Sequence, residues 1–494
     1  LLIVALLATG ITRQMASSRR AQGLPLGSGD STSQFSRMNS FALALLLGGL
    51  RGPLVMVLWT SSESKKSEKN LEDVDTQIEW IRMLQPEFDT VHIFQIWNKA
   101  YNHSVQMAGL SNKYLTILDA LDYAHKVDLE RPNNINIIYQ IGSVYGDKLA
   151  DSTEKQYYRK RIREESLPHL PRQKLKPNDP GYRRLDLDPL LDQQANILPR
   201  YLIPGGSILT DPNDPAQRYD GSELPFLTKY QPFPYGVSAH ALAFNYRKRA
   251  QLLARLGGQK HAQLADLVID SRPALDLKQW AEDEMERGRV AELQAFGKAI
   301  PTERIAMEEP TERTPLNQTV DQSKRTLLEK AIYSYDMSAR LAADADHEYN
   351  EHLQRFQNNI QLYESHKDAL AALGALAAAD RDYLRAMLAP ADQRQPILDA
   401  ARREYEKAVW LNELMILKYY INDPTVVATC YPPGVTRENV SDPRKLPPDQ
   451  YAAVLRKAVP MFRQSPDAPG NIDNVNEYLT YTNRANARLK SLPE

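Results

Sequence analysis

The sequence predicts an all-α protein: a solenoid of helical hairpins with an N-terminal membrane anchor, a Pro-rich extended middle segment and a long antiparallel helical hairpin. Three observations carry that prediction. One phrase occurs twice between Gln77 and Gly146, first as Ile78–Asn102 and then as Ala120–Gly146. Each copy holds an apolar-aromatic-Gln-Ile knot, Ile93-Phe94-Gln95-Ile96 and Ile138-Tyr139-Gln140-Ile141. The knots lie about 45 residues apart, a spacing typical of helical-hairpin repeats. Second, Pro86 and Pro132 precede the knots, where one helix stops and another can begin, since proline suits only a first helical turn. Third, a block late in the chain keeps its apolar residues at alternating spacings of three and four, the period of a packed helix face.

Composition bounds the rest. The chain has 494 residues, 42% apolar and 25% charged, ordinary values for a globular protein with two or three cores. A net charge of −1 gives no global basic field of the kind nucleic acid needs. Cys430 is the single cysteine, which excludes an internal disulfide framework and any zinc cluster built on cysteines. Tyrosine is abundant, 25 against 10 phenylalanines, and its wet hydroxyl suits helix seams and interfaces.

In chain order, residues 1–12 are apolar and uncharged, too short to span a bilayer alone. Opening on Leu rather than Met, they read as the second half of a transmembrane helix, with a signal peptide as the competing reading. Arg13, Arg19 and Arg20 lean towards a cytoplasmic exit, but the side of the membrane is not decided. Residues 13–70 hold a Gly/Ser linker and an apolar run, Phe41–Trp59, broken by Gly48, Gly49, Arg51, Gly52 and Pro53. A charge at bilayer centre is costly, so this run reads as a buried or membrane-surface helix pair, with a re-entrant or spanning segment as the alternative. Residues 71–165 carry the repeats.

The stretch from Leu47 to Arg163 also carries a resemblance. "LGGLRGPLVMVLW", "MLQPEFDTVHIFQIWNKAYNHSV" and "NNINIIYQIGSVYGDKL" resemble an uncharacterised family of membrane-anchored, tetratricopeptide-like (TPR-like) helical-repeat proteins of planctomycete-type bacteria. The resemblance implies an anchor and a TPR-like α-solenoid, and it carries no catalytic residue. The second phrase is also similar to the general tetratricopeptide consensus, although its period exceeds the usual ~34 residues.

Residues 166–236 are studded with prolines that forbid long helices. Tyr201–Pro215 reads as turns, and Leu227–Gly236 as an aromatic arm of polyproline-II character. The arm is expected to dock on its own chain or on another subunit. Residues 237–315 hold a helix from Ser238 to Gly258, with Arg247, Lys248 and Arg249 read as its solvated side. A second helix, Leu275–Arg289, follows Pro273. Residues 316–422 read as a long hairpin, one arm running from Asp321 to Leu376 and the return from Ile397 to Ile421, with Pro390 and Pro396 at the turn. Residues 423–494 are loop and two terminal helices.

A search for chemistry gives near-misses. Asp344, His347, Glu348 and Glu351 share a helix face at metal-ligand spacing, but the H-E-x-x-H pattern fails because Glu351 stands where the second histidine belongs. Lys155–Arg163 is locally basic and reads as a polar helix end or a contact for anionic lipid. His92, His103 and His240 are isolated histidines. There is no P-loop, dinucleotide fingerprint or nucleophile elbow. No catalytic, cofactor or metal site is therefore assigned, and the chain is read as a non-enzyme. The expected function is a membrane-tethered scaffold that binds other protein subunits of an envelope-associated assembly, with no nucleic acid and no small-molecule substrate. Tyr230, Phe233, Tyr235, Phe94, Trp97 and Tyr139 are its candidate partner-binding residues. The alternatives are a glycan- or lipid-binding module using aromatics near Tyr201–Tyr235, and a metalloprotein built on the Asp344–Glu351 face.

Overall fold

A computed structural model describes residues 55–62, 89–131, 134–167, 225–255, 266–298, 320–352, 360–420 and 472–492, with scattered shorter pieces. These residues are helical almost throughout, in keeping with the all-α prediction. The exception is a two-residue antiparallel ladder, Leu202–Ile203 with Ser207–Ile208, where the sequence suggested turns. The chain divides into two compact units, Leu1–Val144 and Tyr145–Glu494.

The first unit is built from the repeated phrase. Helix α1 (Asp89–Trp97) passes directly into a π-helical segment, Asn98–His103. Helix α2 (Leu110–Glu130) and helix α3 (Ile135–Ser143) follow. Asn134 caps α3, its side-chain oxygen accepting from the Ile137 N–H at 3.2 Å, which satisfies one of the free donors of the first turn. Val91, Ile96, Ile117, Leu121, Ile138 and Ile141 are buried. The end of the early apolar run joins this unit: Val55 is buried with Ile81, Leu84 and Val91, and Leu58, Trp59 and Phe94 pack against them. Helix α3 runs into a second π-helical segment, Val144–Ala150. Both copies of the phrase therefore end an α-helix in the same way, with a widened turn.

The second unit begins at Tyr145 and continues into helix α4 (Lys155–Glu165). A 3₁₀ turn at Pro225–Tyr230 leads to α5 (Ala239–Arg255), α6 (Asp266–Ala295), α7 (Gln322–His352), α8 (Ile360–Leu388), α9 (Ala391–Tyr420) and α10 (Ile472–Ser491). From α5 to α10 each helix packs on the next. Gly288 lets α6 and α7 approach closely, because a Cβ there would sit 2.7 Å from the Tyr335 ring.

The long hairpin resolves differently from its sequence reading. Its first arm is two helices, α7 and α8, and α8 packs on both α7 and α9. Pro396 lies inside α9 and Pro273 inside α6, which starts at Asp266 rather than after the proline. Helix α10 closes the row. Arg488 donates to Glu292 of α6, and Arg484 donates to Asp380 of α8 and, at 2.8 Å, to the Tyr335 hydroxyl of α7. The Tyr405 hydroxyl of α9 donates to Asp380 at 2.6 Å. Five helices thus meet on one buried charge network.

The membrane placement is corrected. No helix among the described residues is long and apolar enough to cross a membrane, and 1–12 and most of 41–59 lie outside the described residues. The stretches 168–201 and 209–224 of the Pro-rich segment lie outside them as well.

Candidate functional site

Two surfaces stand out, one in each unit. In the first unit, α1 and its π-helical continuation set aromatic rings three or four residues apart on one side, the spacing of a helix face. Trp59 and Phe94 lie 5.3 Å apart, Phe94 and Trp97 6.2 Å, and Trp97 and Tyr101 6.1 Å between ring centroids. Trp97 is 37% exposed, and Val105, Met107 and Leu110, just beyond the π-helical segment, are exposed as well. Two polar contacts lie beside the ladder: His92 Nδ1 is 2.8 Å from the Tyr123 hydroxyl, and the Tyr101 hydroxyl donates to the Ser143 carbonyl at 3.4 Å.

In the second unit a cleft is lined mostly by charged residues. It has a volume of about 780 Å³ and lies between α4 and α6, with Tyr235, His240 and Lys330 completing its wall. Lys155, Arg159 and Arg163 follow each other at four-residue spacing on α4, and Gln279, Asp283, Glu286, Arg287 and Val290 share a face of α6. Arg163 donates to Asp283 at 2.6 Å and to Glu284 at 3.1 Å, and Arg159 lies 3.5 Å from Asp283 and 3.7 Å from Glu286. The Ser238 hydroxyl also donates to Asp283, at 2.6 Å. Burial alone would raise the Asp283 carboxyl, but Arg163, Arg159 and this hydroxyl hold it well below the usual range. His240 is fully buried with Nε2 3.1 Å from Arg159 Nη2. Burial, and after it the charge of Arg159, lowers its pKa to about 3, so the ring is neutral and Nε2 accepts from the guanidinium.

The chain matches no family model, no curated protein and no solved structure. Its own geometry therefore has to carry any functional reading.

That geometry separates the six residues the sequence singled out. Phe94 is half-buried and Trp97 exposed, both on the aromatic ladder, and Tyr139 is half-buried on α3. Tyr230 and Phe233 face inward instead. Their rings lie 4.9 and 6.3 Å from that of Trp280, and the Tyr230 hydroxyl donates to Asp344 at 2.7 Å. Burial, then Asp344, pushes the Tyr230 hydroxyl well above its usual pKa. Tyr235 is half-buried, 5.3 Å from the Tyr333 ring and at the rim of the cleft. The end of the arm is therefore docked on its own unit. Gly236 makes the close approach possible, with φ of 81° and its Cα against the Arg163 carbonyl, where a Cβ would collide.

Other readings change for the same reason, pairing across the fold. Arg247, Lys248 and Arg249 are buried, not solvated. Arg247 meets Asp276 at 2.5 Å and Asp147 at 2.8 Å, and Lys248 donates to both oxygens of Glu348 at 2.7 and 2.8 Å. Buried charge is tolerated only when paired in this way. Two members of the possible metal face are thus engaged elsewhere, Asp344 by Tyr230 and Lys229, and Glu348 by Lys248. No cluster of three potential ligands occurs among the described residues. The basic run on α4 is split: Lys160 is exposed, whereas Arg159 and Arg163 are tied to α6. Sequence reasoning missed the α4–α6 pairing. The four-residue spacing of Lys155, Arg159 and Arg163 marked a face, but the carboxylates that answer it lie more than a hundred residues away.

Proposed function

We propose that this protein is a helical scaffold that binds other proteins, with the aromatic ladder of the first unit as its docking face. The observation that carries the reading is the run Trp59–Phe94–Trp97–Tyr101, which includes an exposed Trp97 and is followed by exposed Val105, Met107 and Leu110. Grouped apolar exposure of this kind marks interaction sites, and Trp and Tyr dominate binding hot spots. The ladder also runs onto a π-helical turn, a feature found often at functional sites. The TPR-like reading of the repeats belongs here too. Helical-hairpin repeats bury a core by stacking and present a long face to partners, and a widened turn at the end of both phrases fits one unit used twice. The partner is a protein segment with an apolar face, such as an amphipathic helix, that lies along the ladder.

The test is site-specific photo-crosslinking in the native cells. A photoreactive residue at position 97 is expected to give a discrete adduct with another protein, and one at Lys407 none. Mass spectrometry identifies the adduct. Adducts from both positions alike, or from neither, would refute the docking face.

A further inference from the structure

At one end of the cleft in the second unit, cations outnumber the groups that neutralise them. Arg287 and Lys330 lie over the same ring, that of Tyr235, at 5.8 and 5.7 Å from its centroid. Arg163 stands on the facing helix. Two carboxylates are in contact with Arg163 and Arg287, and both are already shared, while the neighbouring Glu286 and Glu329 pair with Arg159 and Arg325. Asp283 is taken by Arg163, Arg159 and the Ser238 hydroxyl. Glu284 is taken by Arg163, Arg287 and the Trp280 indole N–H. Glu284 lies near enough to favour the charge of Lys330, but the ammonium makes no ion pair among the described residues, and Arg163 Nη1 has no hydrogen-bond partner there. Burial, and then repulsion from Arg287 and Arg163, lowers the pKa of Lys330.

A cation held against other cations at the wall of an open cleft is a seat for a negative group. The volume, about 780 Å³, exceeds what a bare oxyanion fills and falls in the range of small-molecule sites. Tyr235 supplies an aromatic surface beside the cations. We propose that this end of the cleft binds a small organic oxyanion, its phosphate or carboxylate group between Lys330 and the guanidinium groups of Arg287 and Arg163, and its body along Tyr235. The inference is independent of the docking face, which lies in the other unit. It also departs from the sequence reading, which expected no small-molecule substrate.

The experiment is isothermal titration calorimetry of the full chain with phenyl phosphate, inorganic phosphate and phenylacetate, at ionic strength matched with sodium chloride. Saturable binding of phenyl phosphate or phenylacetate is expected, weakened at least tenfold in Lys330→Ala and unchanged in Lys407→Ala. Thermal unfolding checks the fold: removing an unpaired cation leaves the ligand-free Tm of Lys330→Ala at or above that of the parent. Tyr235→Leu is expected to weaken phenyl phosphate more than inorganic phosphate. No saturable binding by any of the three probes, or equal loss in the Lys330 and Lys407 variants, would overturn the site.

Discussion

Asp380→Leu is the sharpest test of how the second unit is closed. Asp380 is buried in α8, where it accepts from Tyr405 at 2.6 Å and from Arg484, and lies 3.9 Å from Arg488 Nε. The network joined to it holds three guanidinium groups, Arg484 and Arg488 at Asp380 and Arg289 at Glu292, and one other carboxylate, Glu292. Burial alone would raise Glu292, but Arg488, Arg289 and Arg484 hold it well below its usual range, so it is charged and already committed. Leucine at 380 keeps the branching of the side chain, although it is bulkier, and removes half of the negative charge. Breaking a buried pair from one side costs about 3–5 kcal/mol, because the partner is left charged and dry. The loss should fall on α10, which carries Arg484 and Arg488 and is held to the other helices through them. Hydrogen exchange followed by mass spectrometry on peptides covering Ile472–Ser491 reads it directly. Protection there should fall by about two to three and a half powers of ten, since ~1.4 kcal/mol is tenfold. Adding Arg484→Met to the same chain should restore part of it, because an apolar pair replaces a stranded charge. Protection of α10 within about threefold of the parent in Asp380→Leu would refute the claim that this network holds the helix.

Two further predictions concern single side chains. His240 is held neutral with a pKa of about 3, while an imidazole in the unfolded chain titrates near ~6.5. Between these values the unfolded chain binds a proton that the folded one refuses, so stability falls as pH drops below ~6.5, by about 2 kcal/mol from pH 7 to pH 5. Asp276 works against this over part of the range, since burial above all raises its pKa to about 6 and its folded form gains a proton as pH falls. In urea titrations at several pH values, His240→Gln should flatten the acid loss relative to the parent, and an unchanged pH slope would contradict the assignment. Gly288→Ala would push a methyl group into the buried Tyr335 ring at 2.7 Å. Overpacking of that kind costs about 1–3 kcal/mol, to be seen as a lower midpoint of thermal unfolding with a changed near-ultraviolet tyrosine signal.

Several features were legible in the residues themselves. The repeated knot around Gln95 and Gln140 announced two equivalent helices, and both end in a π-helical turn, because like side chains at like spacing meet the same local demands. Helix starts were less secure where proline was taken as a boundary. Pro273 and Pro396 sit inside α6 and α9, since packing along a long helix can outweigh one missing hydrogen bond.

The chain by itself determined that it is helical and which residues of each helix share a face, because those are local consequences of a 3.6-residue turn. What each face meets was decided only by tertiary structure. Arg247–Arg249 read as solvated because charge prefers water, and they are buried because Asp276, Asp147 and Glu348 arrive from remote segments to pair with Arg247 and Lys248. Tyr230 and Phe233 read as partner contacts on an arm that could dock on its own chain or on another subunit, and only the fold shows Trp280 meeting them. The uncovered charge of Lys330 emerges the same way. It is the remainder of a balance among α4, α6 and α7 that no local pattern records, since Coulomb energy depends on distance through space and not along the chain.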